Sequence, residues 1–100
     1  MIPETLKKSR AKIAEICRRY KIRELSLFGS QVRGDFTAKS DFDFLVEFEP
    51  NAEIDYFKYF EIQEELEKIV HKKVDLVPKV GLKIVVRQHI LSEAEIVYAA

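Results

Sequence analysis

Three segments of the chain carry apolar residues at the spacing of an amphipathic helix. Residues 3–20 repeat an apolar side chain roughly every 3.6 positions, and Pro3 suits the first turn of such a helix. Asp55 is a suitable N-cap for a second helix that continues to about Val70. A third helix is expected over about residues 82–92. The periodicity thus predicts three main helices along the chain.

Between these helices lie segments typical of β-strands. "DFDFLVEF", residues 41–48, alternates strictly, so its phenylalanines share one face and its acids share the other. Shorter apolar runs predict strands at Glu24–Gly29 and Lys73–Val77, and "EIVY" at residues 95–98 is expected to add an edge strand. This order of elements predicts an α/β (α+β) fold, with a small mixed sheet of three to four strands flanked by helices.

Composition and length favour one compact domain. The chain has 100 residues, of which 47% are apolar and 34% charged, and no repeat or linker divides it. We therefore expect a single domain over residues 1–100. The formal net charge is zero, which argues against a dedicated nucleic-acid binder. Basic residues dominate 1–24 and acids dominate 41–67, which describes either solvated surfaces or a polarised partner face.

Cysteine use and hydropathy indicate the compartment. Cys17 is the only cysteine, which allows no internal disulfide and is typical of a reducing cytoplasm; its default role is that of a small core residue. No signal-peptide pattern opens the chain, and no apolar run approaches the ~18 residues of a membrane span. We expect a cytoplasmic protein without membrane contact. His71 and His89 lack a companion cysteine, so no zinc site is expected.

Asp41 and Asp43 place two acids at the mouth of a strand that otherwise looks buried. Residues two apart in a strand project from one face, about 7 Å apart along the backbone, and buried carboxylates are costly without a cation. Mg²⁺ fits such a pair because it seeks oxygen ligands and is commonly shared between one or two carboxylates and substrate phosphates. The alternative is that both acids form the solvated side of an edge strand, which is the commoner meaning of an isolated Asp-x-Asp.

Gly29 and Ser30, which follow the preceding strand, change this balance. A glycine permits a tight turn there, and free backbone N–H groups and the serine hydroxyl attract phosphate, although an ordinary strand-to-helix turn is the alternative. Asp75 lies inside the apolar run "KVDLV", and it faces the side of the two earlier aspartates if its neighbours face the core. Three aspartates beside a phosphate-binding turn are typical of metal-assisted nucleotidyl transfer.

The stretch "GSQVRGDFTAKSDFDFLVEF" resembles the signature of the DNA polymerase β-like nucleotidyltransferase superfamily. That signature is a Gly-Ser, a spacer (here residues 31–40), an Asp-x-Asp, and a third Asp on a later strand. Arg33-Gly34 and Ser40-Asp41 look like the minimal nucleotidyltransferase branch, the MNT or MntA-type antitoxins. The resemblance covers the whole chain and implies a polymerase β-like core.

The resemblance also implies roles for five residues, all of which match the pattern. Gly29 and Ser30 would bind the nucleotide triphosphate. Asp41 and Asp43 would ligate metal, and Asp75 would be the third carboxylate, acting as metal ligand or base. Two Mg²⁺ ions and ATP as substrate follow from the same likeness. In that family the MNT protein is paired with a HEPN-type toxin, an RNase, and transfers AMP from ATP to a toxin tyrosine.

The acceptor is expected to be a protein that docks onto the chain. We expect no second domain that could hold a small acceptor, and the neutral charge offers no nucleic-acid track. Phe57 falls off the apolar stripe of its helix, either through ordinary exposure or as a docking anchor. Arg33 and Lys39 lie near the expected phosphates, but a solvated loop is the default role for each.

Two other functions stay open. An antitoxin that neutralises its toxin by binding alone would keep the aspartates only as structure. A small-molecule nucleotidyltransferase of the aminoglycoside-inactivating kind is disfavoured unless a homodimer supplies the acceptor pocket. The sequence leaves open the oligomeric state and the nucleotide that is preferred.

Overall fold

The computed structural model describes residues 2–100, which form a four-stranded mixed sheet in the order β3-β2-β1-β4. The strands are β1 (Ile22–Phe28), β2 (Phe42–Phe48), β3 (Val74–Pro78) and β4 (Glu95–Ala99). β1 is antiparallel to both β2 and β4, and β2 is parallel to β3. The predicted fold class and the C-terminal edge strand are confirmed.

Five helices accompany the sheet in the described part of the chain: α1 (Glu4–Lys8), α2 (Arg10–Arg19), α3 (Ser30–Arg33), α4 (Tyr56–Val70) and α5 (Ile84–Glu93). The Asp55 N-cap is confirmed, since its Oδ1 accepts from the Lys58 N–H at 2.9 Å.

The single helix predicted over residues 3–20 is wrong, because the chain breaks at Ser9. Ser9 leaves helical geometry (φ −104°, ψ 16°), and its N–H turns back to the Leu6 carbonyl. Serine competes poorly as an interior helix residue and favours helix ends. Both pieces still bury the same face, with Leu6 and Ile13 each 1% exposed.

The main core lies between one face of the sheet and helices α1, α2 and α4. Phe44 in β2 is fully buried there, as are Ile62 and Leu66 of α4, which confirms the alternation and the predicted stripe. Cys17 is also fully buried, and burial raises the pKa of its thiol to about 12, so it packs as a small core residue.

Side chains of α4 cover the outer edge of β3. The Val74 N–H donates to Glu67 (3.0 Å), and Gln63 donates to the Val74 carbonyl (2.9 Å). Tyr59 donates in the same way to the Leu76 carbonyl. These bonds satisfy backbone groups at an edge that would otherwise be unpaired, and they hold β3 beside β2. They therefore also fix the position of Asp75, which lies between Val74 and Leu76 in the sequence. Within residues 2–100, no helix has the length and apolar character that crossing a bilayer requires.

Candidate active site

Asp43 and Asp75 lie side by side on neighbouring strands. The parallel register pairs Asp43 with Asp75, and aligned residues of adjacent strands project from one face of the sheet. Their sequence neighbours, such as Phe42 and Val74, point into the core and are buried. Asp41 immediately precedes β2. The structure therefore brings Asp75 to the face that carries Asp43, as the strand pattern predicts.

The carboxylates repel one another. The pKa of Asp43 is raised above its ordinary value, first by burial and then by the negative charges of Asp75 and Asp41. The Asp43 carboxylate is therefore within electrostatic reach of both other aspartates, and the charge of Arg33 offsets part of this repulsion. A cation placed among them would lower it.

Gly29 brings the turn after β1 directly against Asp43. Gly29 has φ +82°, and a Cβ built on it would lie 2.3 Å from the Asp43 Oδ2. The preceding residue, Phe28, pairs with Asp43 in the antiparallel ladder, which holds the two strands in this register. A glycine suits this position for two reasons: its backbone conformation is one that other residues rarely adopt, and the Asp43 carboxylate occupies the space that a side chain would fill.

After Gly29 the chain forms one short helical turn. The Gly29 carbonyl accepts from the N–H groups of Val32 and Arg33 (both 3.1 Å), and the Ser30 carbonyl accepts from Gly34 (2.9 Å). Ser30 is half-buried at the start of this turn. The expectation that the residues after Gly29 open a helix is confirmed, and the turn lies beside the carboxylates.

The carboxylates of the site suit Mg²⁺ better than a metal ion whose ligands all come from protein side chains. Within residues 2–100, no group of three or more His, Cys, Asp or Glu side chains is gathered closely enough to hold an ion. Mg²⁺ does not need such a group, because it is usually bound through one or two carboxylates with waters and substrate phosphates. Asp43 together with Asp41 or Asp75 supplies the carboxylates that Mg²⁺ requires. The same residues do not supply the four ligands of a closed tetrahedral zinc site.

Arg33 is exposed to solvent, as the sequence pattern favours, but it ends the short helix α3 and its side chain is paired with two carboxylates. Its Nε donates to Asp35 at 3.3 Å, and its Nη1 donates to Glu93 Oε2 at 3.1 Å. The Arg33 charge lowers the pKa of Asp43, while Glu93 raises it, so both act on the same site. Glu93 was missed because it lies 60 residues away in sequence; Lys39, by contrast, is exposed as expected.

Two exposed apolar surfaces lie outside the carboxylate site. Phe57 is 79% exposed, which confirms that it lies off the buried stripe of α4, and Tyr56 and Phe60 beside it are exposed as well. α5 buries Ile90 but leaves other large apolar side chains open to solvent: Ile84, Val85, Val86 and Leu91. These surfaces are unusual for a domain without partners.

The fold and the site together define a nucleotidyltransferase. The model of the family "Polymerase beta, Nucleotidyltransferase" matches residues 11–100, and the chain belongs to this family. Among its relatives, the protein adenylyltransferase MntA of Thermococcus cleftensis is 39% identical over 79 residues, covering 79% of this chain and 78% of the relative. A Methanocaldococcus jannaschii protein whose name proposes protein adenylyltransferase activity is 46% identical over 61 residues. That match spans 61% of each chain, less than two thirds of the relative's length.

Solved structures share the fold. One proposed to be a minimal nucleotidyltransferase is 32% identical with a TM-score of 0.78, and the match covers 95% of both chains. A chain of a mutant MntA toxin–antitoxin crystal structure is 25% identical with a TM-score of 0.68, covering 90% of this chain and 72% of that one. The polymerase β-like core expected from the sequence is confirmed.

Replacing Gly29 by alanine tests the contact with Asp43. Gly34 also has a positive φ (+89°) and has nothing within 4 Å of a built Cβ, but its ψ is 2° whereas that of Gly29 is −157°. We expect Gly34→Ala to lower the free energy of unfolding by roughly 1–2 kcal/mol through backbone strain alone. The cost of Gly29→Ala includes the strain of its own backbone conformation, so the contact is isolated by repeating this change in an Asp43→Ala background. There Gly29→Ala should cost clearly less than in the wild type, because no carboxylate has to move. Urea denaturation measures these losses, and equal losses in the two backgrounds would contradict the contact.

Asp43→Asn tests the carboxylate repulsion. Because the pKa of Asp43 is raised on folding, its ionisation destabilises the fold as pH rises through the interval between its unfolded and folded values. We expect Asp43→Asn to be more stable than the wild type at pH 7, and this gain to vanish at a pH low enough to protonate Asp43. Urea midpoints at several pH values, with exposed Glu64→Gln as the control, measure it. A gain that does not depend on pH would rule out ionisation as its source.

Proposed function

We propose that residues 1–100 form one minimal nucleotidyltransferase domain that transfers AMP from ATP to a hydroxyl group of a partner protein, in a reaction that depends on Mg²⁺. The observation that supports this most strongly is the packing of Gly29 against the Asp43 carboxylate. It brings a turn of the kind that binds phosphate within contact distance of a carboxylate of the kind that binds metal. Neither feature alone would define a reaction.

The five site residues divide the chemistry between them. Gly29 and Ser30 would hold the triphosphate, and Asp41 and Asp43 would hold Mg²⁺ with Asp75 as a further ligand or base. When bound, Mg²⁺ would offset the charge of the carboxylates and of the phosphates. The acceptor oxygen attacks the α-phosphorus of ATP, the bond from that phosphorus to the bridging oxygen breaks, and pyrophosphate leaves. The acceptor proton passes to a carboxylate, for which Asp75 is our candidate, or to water.

A HEPN-type toxin is the acceptor that we propose, with the chain acting as its antitoxin. The relatives named protein adenylyltransferases favour a protein acceptor, and one solved neighbour comes from a toxin–antitoxin complex. The resemblance of the motif adds tyrosine as the modified residue. The exposed apolar surfaces on α4 and α5 supply area for such a partner. The cytoplasm provides ATP and keeps a free thiol such as Cys17 reduced, so it is the compartment we propose.

The decisive experiment is adenylylation of the partner. The chain is incubated with ATP, Mg²⁺ and a HEPN-type toxin that it binds, and the intact mass of the toxin is measured. We expect an added AMP with the wild type. If the chain binds the toxin but the mass of the toxin stays unchanged, the enzymatic proposal is overturned.

Replacing both metal-site aspartates separates catalysis from binding alone. We expect Asp41→Asn with Asp43→Asn to abolish both the AMP adduct and the rescue of cells from the toxin, since the charge that would hold Mg²⁺ is lost. Glu47→Gln, on the same strand but outside the site, is the matched control and should retain both. Rescue that persists in the double variant would identify an antitoxin that acts by occlusion.

Phe57→Ala tests the aromatic surface of α4. Because this ring is 79% exposed, its loss should leave the free energy of unfolding unchanged within about 0.5 kcal/mol. If the ring anchors the partner, the dissociation constant of the toxin complex should rise at least roughly fivefold. Calorimetry measures the affinity and urea denaturation measures the stability. Unchanged affinity would remove Phe57 from the interface.

A further inference from the structure

Arg33 is held from two sides at the edge of the carboxylate site. Asp35, two residues along the chain, accepts from its Nε at 3.3 Å. Glu93, at the end of α5, accepts from its Nη1 through both carboxylate oxygens, at 3.1 and 3.3 Å. The Asp35 side chain is 63% exposed, whereas that of Glu93 is only 15% exposed. The bond to Glu93 is therefore the more sheltered of the two, and it joins two distant parts of the chain.

The negative charge of the Glu93 carboxylate is compensated mainly by Arg33. A carboxylate this sheltered from water is costly unless a cation and hydrogen bonds satisfy it. Of the cationic side chains in residues 2–100, Arg33 gives Glu93 its hydrogen bonds, and the His89 ring lies at 4.0 Å. Ile90 is the one buried residue of α5, and the Arg33–Glu93 pair adds a polar contact between that helix and α3.

The pair also fixes a positive charge where the site needs one. Arg33 ends the short turn that Gly29 and Ser30 begin, and its charge reaches Asp43. Without hydrogen bonds to carboxylates, an arginine side chain would populate many rotamers, and its guanidinium would occupy no single position. The bonds of Nε to Asp35 and of Nη1 to Glu93 restrict the orientations of this guanidinium, although its side chain is 46% exposed.

We propose that Glu93 is a positioning residue for nucleotide binding, which acts by holding the Arg33 guanidinium beside the Gly29–Ser30 turn. The inference rests on the proposed function, because it assumes that a triphosphate binds at this turn. Glu93 itself is not a ligand: its negative charge would repel phosphate, so its contribution passes through the arginine. The last helix of the fold would thereby set the affinity of a site built mainly from the first three strands.

The test is a double-mutant cycle on the affinity for AMP-PNP with Mg²⁺, measured by calorimetry on the wild type, Glu93→Gln, Arg33→Gln and the double variant. We expect Glu93→Gln to weaken binding roughly three- to tenfold while Arg33 is present. In the Arg33→Gln background the same change should have an effect of less than about twofold. Equal effects in both backgrounds, or tighter binding by Glu93→Gln, would overturn the proposal.

Two further measurements keep the outcome unambiguous. Glu15→Gln is the control, because the Glu15 carboxylate pairs with Arg19 (3.0 Å) in a part of the chain outside the site. This variant should leave the affinity for AMP-PNP unchanged. The NMR signal of the Arg33 Nη1 protons, whose hydrogen bonds Glu93 accepts, recorded without nucleotide, should be protected from exchange in the wild type and lose protection in Glu93→Gln. An unchanged signal refutes the hold by Glu93. A wild type that shows this protection but binds no AMP-PNP refutes the proposed function instead.

Discussion

The close approach of the Asp43 carboxylate to the Cα of Gly29 is the contact on which the site depends. It exists because the ladder between β1 and β2 pairs Phe28 with Asp43, so the chain after Phe28 must turn beside the carboxylate. A side chain at position 29 would have to displace the Asp43 carboxylate. Under the proposed function, this contact is what places the phosphate-binding turn beside a metal-binding carboxylate.

A second constraint is electrostatic, and it opposes stability. Asp43 stands beside Asp75 in the parallel register, and burial and like charges raise its pKa. Under the proposed function, bound Mg²⁺ would offset this cost. Stability given up where carboxylates converge is typical of functional sites. The edge of β3, satisfied by α4, is what keeps Asp75 in this unfavourable place.

Local patterns were enough to predict most of the architecture. Strict alternation in β2 fixed which face carries its acids, and the 3.6-residue stripe fixed α4 with its Asp55 cap. The break at Ser9 was not predictable, because the apolar spacing continues in phase through it. The Arg33–Glu93 pair was not predictable either. It depends on where α5 packs in the fold, and nothing in the sequence around Arg33 indicates a partner 60 positions away.

The most direct test of the central claim is calorimetric titration of the wild-type chain with AMP-PNP, with and without Mg²⁺. If the turn at Gly29 and the carboxylates of Asp41, Asp43 and Asp75 form one site, Mg²⁺ should tighten nucleotide binding by about tenfold or more, because the ion contacts both partners. Equal affinity in the presence and absence of the ion would show that the turn and the carboxylates do not act together, and would contradict the account.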